Sequence, residues 1–228
     1  MKKTAIFLCF VLSLTALHAR AIQEDYKTAE EKTRTSYAFG MIIARNFDLG
    51  SLNVDFDYSA LAEGIKDYIN DTSDVHFSEQ EAMEIVETAL QRAWDRSSQE
   101  NRALGEAFLA SNSQRQGVHV TASGLQYEII NQTTGEKPTI NSEVRVNYTG
   151  TYIDGRIFES SRDEAGTNIP MEFLIEGLSE GIMLMSPGSI YRFFIPSNLA
   201  YGREGLHGVP PNSTVIFSIE LLEIINEN

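Results

Sequence analysis

The sequence predicts an α+β protein, in which an all-α N-terminal half precedes an antiparallel β-sheet wrapped on one short helix. Apolar residues recur at helical spacing through residues 22–116, a stretch that contains no proline. After Gly117 apolar and polar residues alternate, which is typical of strands with one buried face. We therefore expect three segments: a removable leader at 1–21, a helical domain with a long connecting helix at 22–116, and a sheet domain at 117–228.

The first 21 residues have the pattern of a secretory signal peptide. Two lysines follow Met1, an apolar run of 13 residues spans 5–17, and Ala19-Arg20-Ala21 matches a signal-peptidase cleavage pattern. The apolar run is short for a membrane-spanning helix, although a membrane anchor is the alternative interpretation. Cys9, the only cysteine, would be removed, so the mature chain would form no disulfide. Export without disulfides favours the periplasm or outer envelope of a bacterium.

Charge and motif content exclude several classes of function. Removing the leader deletes three basic residues, so the net charge of −14 becomes −17. Such a chain would be repelled by nucleic acid and by anionic lipid. The sequence has no P-loop and no dinucleotide fingerprint, and its histidines are scattered. We expect no cofactor, no metal, no nucleic-acid partner and no transmembrane segment in the mature chain.

The helical half begins with two amphipathic helices. Tyr37, Met41 and Ala44 share one face of the first helix, and Asp57 is placed to cap the second. Short helices of this kind bury little apolar surface alone, and an exposed apolar stripe is a liability in a monomer. We therefore predict a homodimer built from residues 22–116.

A third helix is predicted to connect the two halves. Ser78 and Glu81 form a capping box, and a helix from there to about Arg115 would be ~55 Å long. Its middle, DRSSQENR (95–102), is polar all round and is interpreted as an arm crossing solvent. The alternative is two helices with a break near Ser97-Ser98. The apolar stripe of the first part is Met83, Val86, Leu90 and Trp94.

Five strands and one short helix are predicted in the sheet domain. The helix contains Leu178, Ile182 and Met185 at helical spacing. The strands are expected at 124–130, 143–153, 171–175, 189–196 and 213–225.

Four aromatic residues and one valine are candidates for a site: Tyr148, Phe158, Tyr201, Phe217 and Val209. An ordinary sheet core is the alternative interpretation of this set. Tyr201 lies in a loop, however, and Pro210-Pro211 stiffens the chain nearby. Apolar side chains on a stiffened loop indicate a pocket wall with a polar tip.

Three blocks of the sequence resemble the FKBP family of peptidyl-prolyl cis–trans isomerases: VNYTGTYIDGRIFESSRD (146–163), AYGREG (200–205) and GVPPNSTVIFSIELLEI (208–224). Three further blocks resemble its exported, dimeric type, typified by the macrophage infectivity potentiator: SYAFGMIIARNF (36–47), GEAFLASN (105–112) and TASGLQYEII (121–130). The resemblance implies an FKBP-like fold and an isomerase that assists the folding of exported, proline-containing client chains. It also implies macrolide inhibitors as possible ligands. The alternative is a dimeric chaperone or binding module with weak or no isomerase activity.

The resemblance also implies roles for individual residues. Tyr148, Phe158 and Phe217 would wall a proline pocket, and Tyr201 would donate its hydroxyl to a substrate carbonyl. Glu159 stands where the family usually has aspartate, and it keeps the carboxylate.

Further substrate-binding positions are implied at Met171, Leu174, Ile175, Leu178, Leu206 and Val209. Leu206 and Val209 would line the loop side of the pocket, and Ile175 is the best match for a backbone donor to the substrate. Leu178 stands where the family normally has the tryptophan of the pocket floor. Met171 replaces a usual aromatic residue. The predicted floor is therefore smaller, and this feature favours the binding-module alternative.

Overall fold

A computed structural model describes residues 29–70, 76–161, 165–206 and 208–225. The predicted signal peptide at 1–21 lies outside these residues. The chain forms two compact units that divide between residues 74 and 75. In the described ranges, no helix is both long enough and apolar enough to cross a membrane.

The described residues of the first unit form the helices α1 (Glu31–Asn46) and α2 (Tyr58–Asn70). The predicted cap of α2 is confirmed, because Asp57 Oδ1 accepts hydrogen bonds from the backbone N–H groups of Ser59, at 2.9 Å, and Ala60, at 3.2 Å. Neither helix has a buried residue. Met41, on the predicted dimer face, is 60% exposed, so this apolar face is uncovered in the single chain.

The second unit begins with α3 (Glu79–Asn112), a single helix of 34 residues and ~51 Å. The predicted capping box is confirmed, since Ser78 Oγ accepts from the N–H of Glu81 while Glu81 Oε2 accepts from the N–H of Ser78. The helix runs through Ser97-Ser98 without a break, so the alternative of two helices is wrong.

The middle of α3 does not cross solvent as predicted. Ser98 is only 7% exposed and accepts a hydrogen bond from Asn212 Nδ2 at 2.7 Å. The side chain of Asn101 donates to the carbonyl of Pro211 at 3.0 Å. Polar residues occupy this face because the segment against which it packs presents polar groups.

The described residues form a sheet of seven antiparallel strands in the order β1-β2-β6-β7-β3-β4, and β5 also pairs with β3. The strands are β1 (Val118–Val120), β2 (Gln126–Asn131), β3 (Glu143–Tyr152), β4 (Ile157–Ser160), β5 (Thr167–Pro170), β6 (Ile190–Ile195) and β7 (Val215–Ile225). Four of the five predicted strands are therefore confirmed as β2, β3, β6 and β7. The strand predicted at 171–175 is wrong, because Met171–Phe173 forms a 3-10 turn directly after β5.

The core lies between the sheet and the short helix α4 (Glu176–Ile182). The alternation predicted for the last strand is confirmed, with Phe217 and Ile219 almost completely buried. Leu178 and Ile182 of α4 belong to the same core cluster. Met185 is also buried, although it follows the end of the helix.

Candidate active site

An aromatic cluster forms where β3, β4 and β7 meet. Phe158, on β4, packs edge to face against Phe217, on β7, with ring centroids 5.6 Å apart. Tyr148, on β3, lies 6.4 Å from Phe217 between ring centroids. The β3 residue between the rings is Gly150, where an added Cβ would lie 2.8 Å from Phe158 and 2.9 Å from Phe217. The absence of a side chain at Gly150 lets the two phenylalanine rings meet.

Phe158 also connects the strands to the loop. Its ring packs edge to face against Tyr201, with ring centroids 6.2 Å apart, and lies tilted by 44° against Tyr152, with ring centroids 5.2 Å apart. The structure thus brings together the four aromatic residues that the sequence singled out, and it adds Tyr152. Edge-to-face aromatic pairs of this kind typically contribute ~0.5–1.5 kcal/mol beyond the burial of their area.

The polar edge of the cluster is formed by Tyr148 and Glu159. The hydroxyl of Tyr148 donates to Glu159 Oε1 at 2.9 Å. This bond ties the carboxylate to β3, next to the rings. A cavity of about 500 Å³ opens here, and its lining residues are Tyr148, Ile157, Phe158, Glu159, Ser160, Ser161 and Thr167.

Tyr201 provides a phenol at the loop side of the cluster. Burial, followed by the smaller effects of the nearby Glu159, Tyr148 and Tyr152, raises the pKa of Tyr201 to about 12. The phenol therefore stays protonated at neutral pH and remains a hydrogen-bond donor. It can hold an acceptor such as a peptide carbonyl.

The backbone beside Tyr201 is held on two sides. The N–H of Gly202 donates to the carbonyl of Ser197 at 2.8 Å, and the carbonyl of Gly202 accepts from the N–H of Asn212 at 2.9 Å. These two bonds restrict the position of the loop, and with it the position of the phenol.

The predicted floor residue Leu178, on α4, and Met171, in the turn before it, belong to the same core cluster as Phe217. Leu178 is 5% exposed and Met171 is completely buried, so Met171 has no surface that a substrate can touch. Leu174 and Ile175 are partly buried against the core. Within the part of the chain that the structure describes, the backbone N–H of Ile175 forms no hydrogen bond. That group is available to a ligand.

The two predicted loop residues differ in exposure. Val209 is 4% exposed and packs on the core, whereas Leu206 is 64% exposed. Reciprocal backbone hydrogen bonds of 3.0 and 2.7 Å join them and close the loop. The hydroxyl of Tyr152 donates to the carbonyl of Gly208, which fixes this loop to β3.

Two contributors to the site were missed in the sequence, Gly150 and Tyr152. Both follow Tyr148 at intervals of two on β3, so they share its face. The strand alternation in NYTGTY was therefore the signal that could have found them. Among the described residues, no three metal-ligating side chains are grouped together.

The chain matches two protein families in succession. Residues 32–129 match the domain amino terminal to FKBP-type peptidyl-prolyl isomerase. Residues 134–222 match the FKBP-type peptidyl-prolyl cis–trans isomerase family. The aromatic cluster and the Tyr201 loop lie within the second match.

Relatives match almost the whole chain. An FKBP-type peptidyl-prolyl cis–trans isomerase FkpA of Aeromonas hydrophila is 33% identical over 236 residues, covering 98% of this chain and 87% of that protein. The outer membrane protein MIP of Legionella longbeachae is 33% identical over 225 residues, covering 94% of each chain. The crystal structure of FkpA from Escherichia coli matches with a TM-score of 0.64 and 28% identity, covering 86% of this chain and 97% of that one. The resemblance indicated by the sequence blocks is confirmed: the chain belongs to the FKBP-type peptidyl-prolyl cis–trans isomerase family.

Proposed function

We propose that this protein catalyses cis–trans isomerisation of X-Pro bonds in exported client chains, with the aromatic cluster as its proline pocket. The observation that carries the proposal is the convergence of Phe158, Phe217 and Tyr201 on one site. Tyr148 and Val209 complete the pocket wall, and Leu178 forms its floor. The family and its relatives in bacterial envelopes support the activity. We also propose an exported homodimer in the periplasm or outer envelope, with macrolide inhibitors as candidate ligands. The outer membrane protein MIP among the relatives supports the envelope location, and the uncovered apolar face of α1 supports the dimer.

The reaction needs neither a nucleophile nor a metal. Rotation about the peptide bond breaks amide resonance, with a barrier of ~18–20 kcal/mol. The twisted amide is less charge-separated than the planar one, so a water-poor aromatic site favours it. A tenfold acceleration requires a stabilisation of only about 1.4 kcal/mol, so a few contacts made in the twisted state are sufficient.

Two donors of the site would orient the substrate. The phenol of Tyr201 would donate to the carbonyl of the rotating peptide and hold it while the proline turns. The unpaired backbone N–H of Ile175 would meet a second carbonyl. Glu159 would orient the hydroxyl of Tyr148 through their hydrogen bond of 2.9 Å.

A second candidate is a dimeric chaperone or binding module with weak or no isomerase activity. The leucine at position 178 favours it, because a nearly buried aliphatic residue offers no ring face on which proline can stack. The two candidates differ in the rate they predict for short X-Pro peptides. A short peptide is too small to be helped by a protein that only holds unfolded chains.

The test uses the mature chain with two substrates. An isomerase should accelerate both the cis–trans exchange of a short X-Pro peptide and the proline-limited refolding of an unfolded protein. A binding module should suppress aggregation of the protein substrate while leaving peptide exchange at or close to the uncatalysed rate. That second result would replace the isomerase assignment.

A further inference from the structure

The middle of α3 packs against the segment that follows Val209. Asn101 Nδ2 donates to the carbonyl of Pro211 at 3.0 Å, and Asn212 Nδ2 donates to Ser98 Oγ at 2.7 Å. These bonds join residues that lie 110 and 114 positions apart in the chain. The helix thus contacts the loop region of the site by specific polar bonds.

The contact is close as well as polar. Ser98 and Asn212 are each only 7% exposed, so a lost partner would leave a buried polar group unsatisfied. About two turns further along α3 than Ser98, a Cβ added at Gly105 would lie 2.3 Å from Thr214 Oγ1. The helix can approach this closely because residue 105 is glycine.

The bonded segment leads directly to the catalytic phenol. Asn212 has a left-handed backbone with φ of 53°, and its N–H donates to the carbonyl of Gly202 at 2.9 Å. Gly202 is the residue after Tyr201. A continuous series of hydrogen bonds therefore runs from Ser98 through Asn212 to Gly202, beside the phenol.

A second contact joins the same two elements. The guanidinium of Arg203 lies over the ring of Trp94, 5.5 Å from its centroid. Trp94 precedes Ser98 by about one helical turn. The loop of Tyr201 is thus contacted by α3 at Arg203 and through Asn212.

We propose that Ser98 and Asn101 of α3 are positioning residues for the isomerase reaction, because they fix the loop that presents Tyr201. This inference rests on the proposed function. They touch no substrate and act through Pro211 and Asn212. The long helix is then a functional part of the catalytic unit as well as a connection to the first unit.

The rates of single and double variants of the mature chain test this inference. Asn101→Ala and Ser98→Ala should each lower the rate of X-Pro peptide exchange by roughly two- to tenfold, the size expected for one lost hydrogen bond. Gln91→Ala is the matched control, because the amide of Gln91 bonds within α3 to Asp95. In a Tyr201→Phe background, Asn101→Ala should lower the rate much less than in the parent, since the phenol it positions is gone.

Hydrogen exchange of the loop is a second measurement on the same proteins, and it does not depend on isomerase activity. Amides in residues 197–206 should exchange faster in Asn101→Ala than in the parent or in Gln91→Ala. If Ser98→Ala fails to fold, the test rests on Asn101→Ala alone. The side chain of Asn101 is only partly buried, so we expect this variant to fold. An inactive parent would contradict the proposed function, while faster loop exchange would still support the positioning contact. The inference would be overturned if loop exchange were unchanged in Asn101→Ala. It would also be overturned if Asn101→Ala lowered the rate by the same factor in the Tyr201→Phe background as in the parent.

Discussion

Phe158 and Phe217 meet edge to face, at an interplanar angle of 86°, over the bare backbone of Gly150. The contact depends on a position with no side chain, since a Cβ would approach both rings to within 3 Å. The shape of the candidate pocket thus depends partly on Gly150, a residue that has no side chain to contact a substrate.

Gly150→Ala should therefore damage both stability and activity. The methyl group must displace one of the two rings, and overpacking of this kind typically costs ~1–3 kcal/mol. Thermal unfolding and X-Pro peptide exchange are measured together. Gly135→Ala is the matched control, because its Cβ would meet only Ser186, at an ordinary 3.7 Å. An unaffected Gly150→Ala variant would mean that the rings are free to move, and the pocket would not be preformed.

The raised pKa of Tyr201 predicts a specific pH dependence of stability. The unfolded phenol ionises near pH 10, whereas the folded one ionises at about 12. The stability due to this shift is fully present below pH 10 and is lost as the pH rises from 10 to 12. Unfolding free energies measured across this window should fall more steeply for the parent than for Tyr201→Phe. Parallel curves would show that burial does not perturb the phenol.

Leu178→Trp tests whether the pocket floor limits the rate. A ring at this position should give proline a face to pack on and raise the rate of peptide exchange. Overpacking of a nearly buried site could cost about 1–3 kcal/mol, so the thermal unfolding of the variant must be followed in parallel. A folded variant with no gain in rate would place the limit elsewhere and would favour the binding-module candidate.

Met41→Glu tests the predicted dimer. If the exposed face of α1 is covered by a second copy, a carboxylate there should be costly to bury and should shift the mature chain toward monomer. Sedimentation velocity measures the shift, and exchange of a short peptide should be unchanged. Ile130→Glu is the control, since Ile130 is a similarly exposed apolar residue in β2. Equal dissociation by both variants, or by neither, would contradict an interface built on α1.

Local patterns of the sequence predicted local structure well. The capping box of Ser78 and Glu81 and the cap at Asp57 were found because both partners lie within three residues of each other. The aromatic cluster was found through the strands and through the family resemblance. Its role as a proline pocket remains a proposal that the variants above test.

Features that depend on distant partners were missed. The polar stretch of α3 looked solvated because Pro211 and Asn212, the groups that bond it, lie more than 100 residues away.

The period of two in residues 171–175 resembled a strand. In the fold, however, the short edge strand β5 ends at Pro170, and the chain turns there to bury Met171. Short strands such as β1, with three residues, contain too little pattern to be recognised.

The proposed role of the Tyr201 hydroxyl, to stabilise the rotating peptide, can be tested with two single variants. Exchange of a short X-Pro peptide is measured by NMR with the parent, Tyr201→Phe and Tyr191→Phe. Tyr191 is the matched control, because it is a buried tyrosine on β6 that stacks on Tyr127, outside the aromatic cluster. We expect the exchange rate to fall roughly two- to tenfold for Tyr201→Phe only, with the fold retained. A folded Tyr201→Phe variant as active as the parent would contradict it.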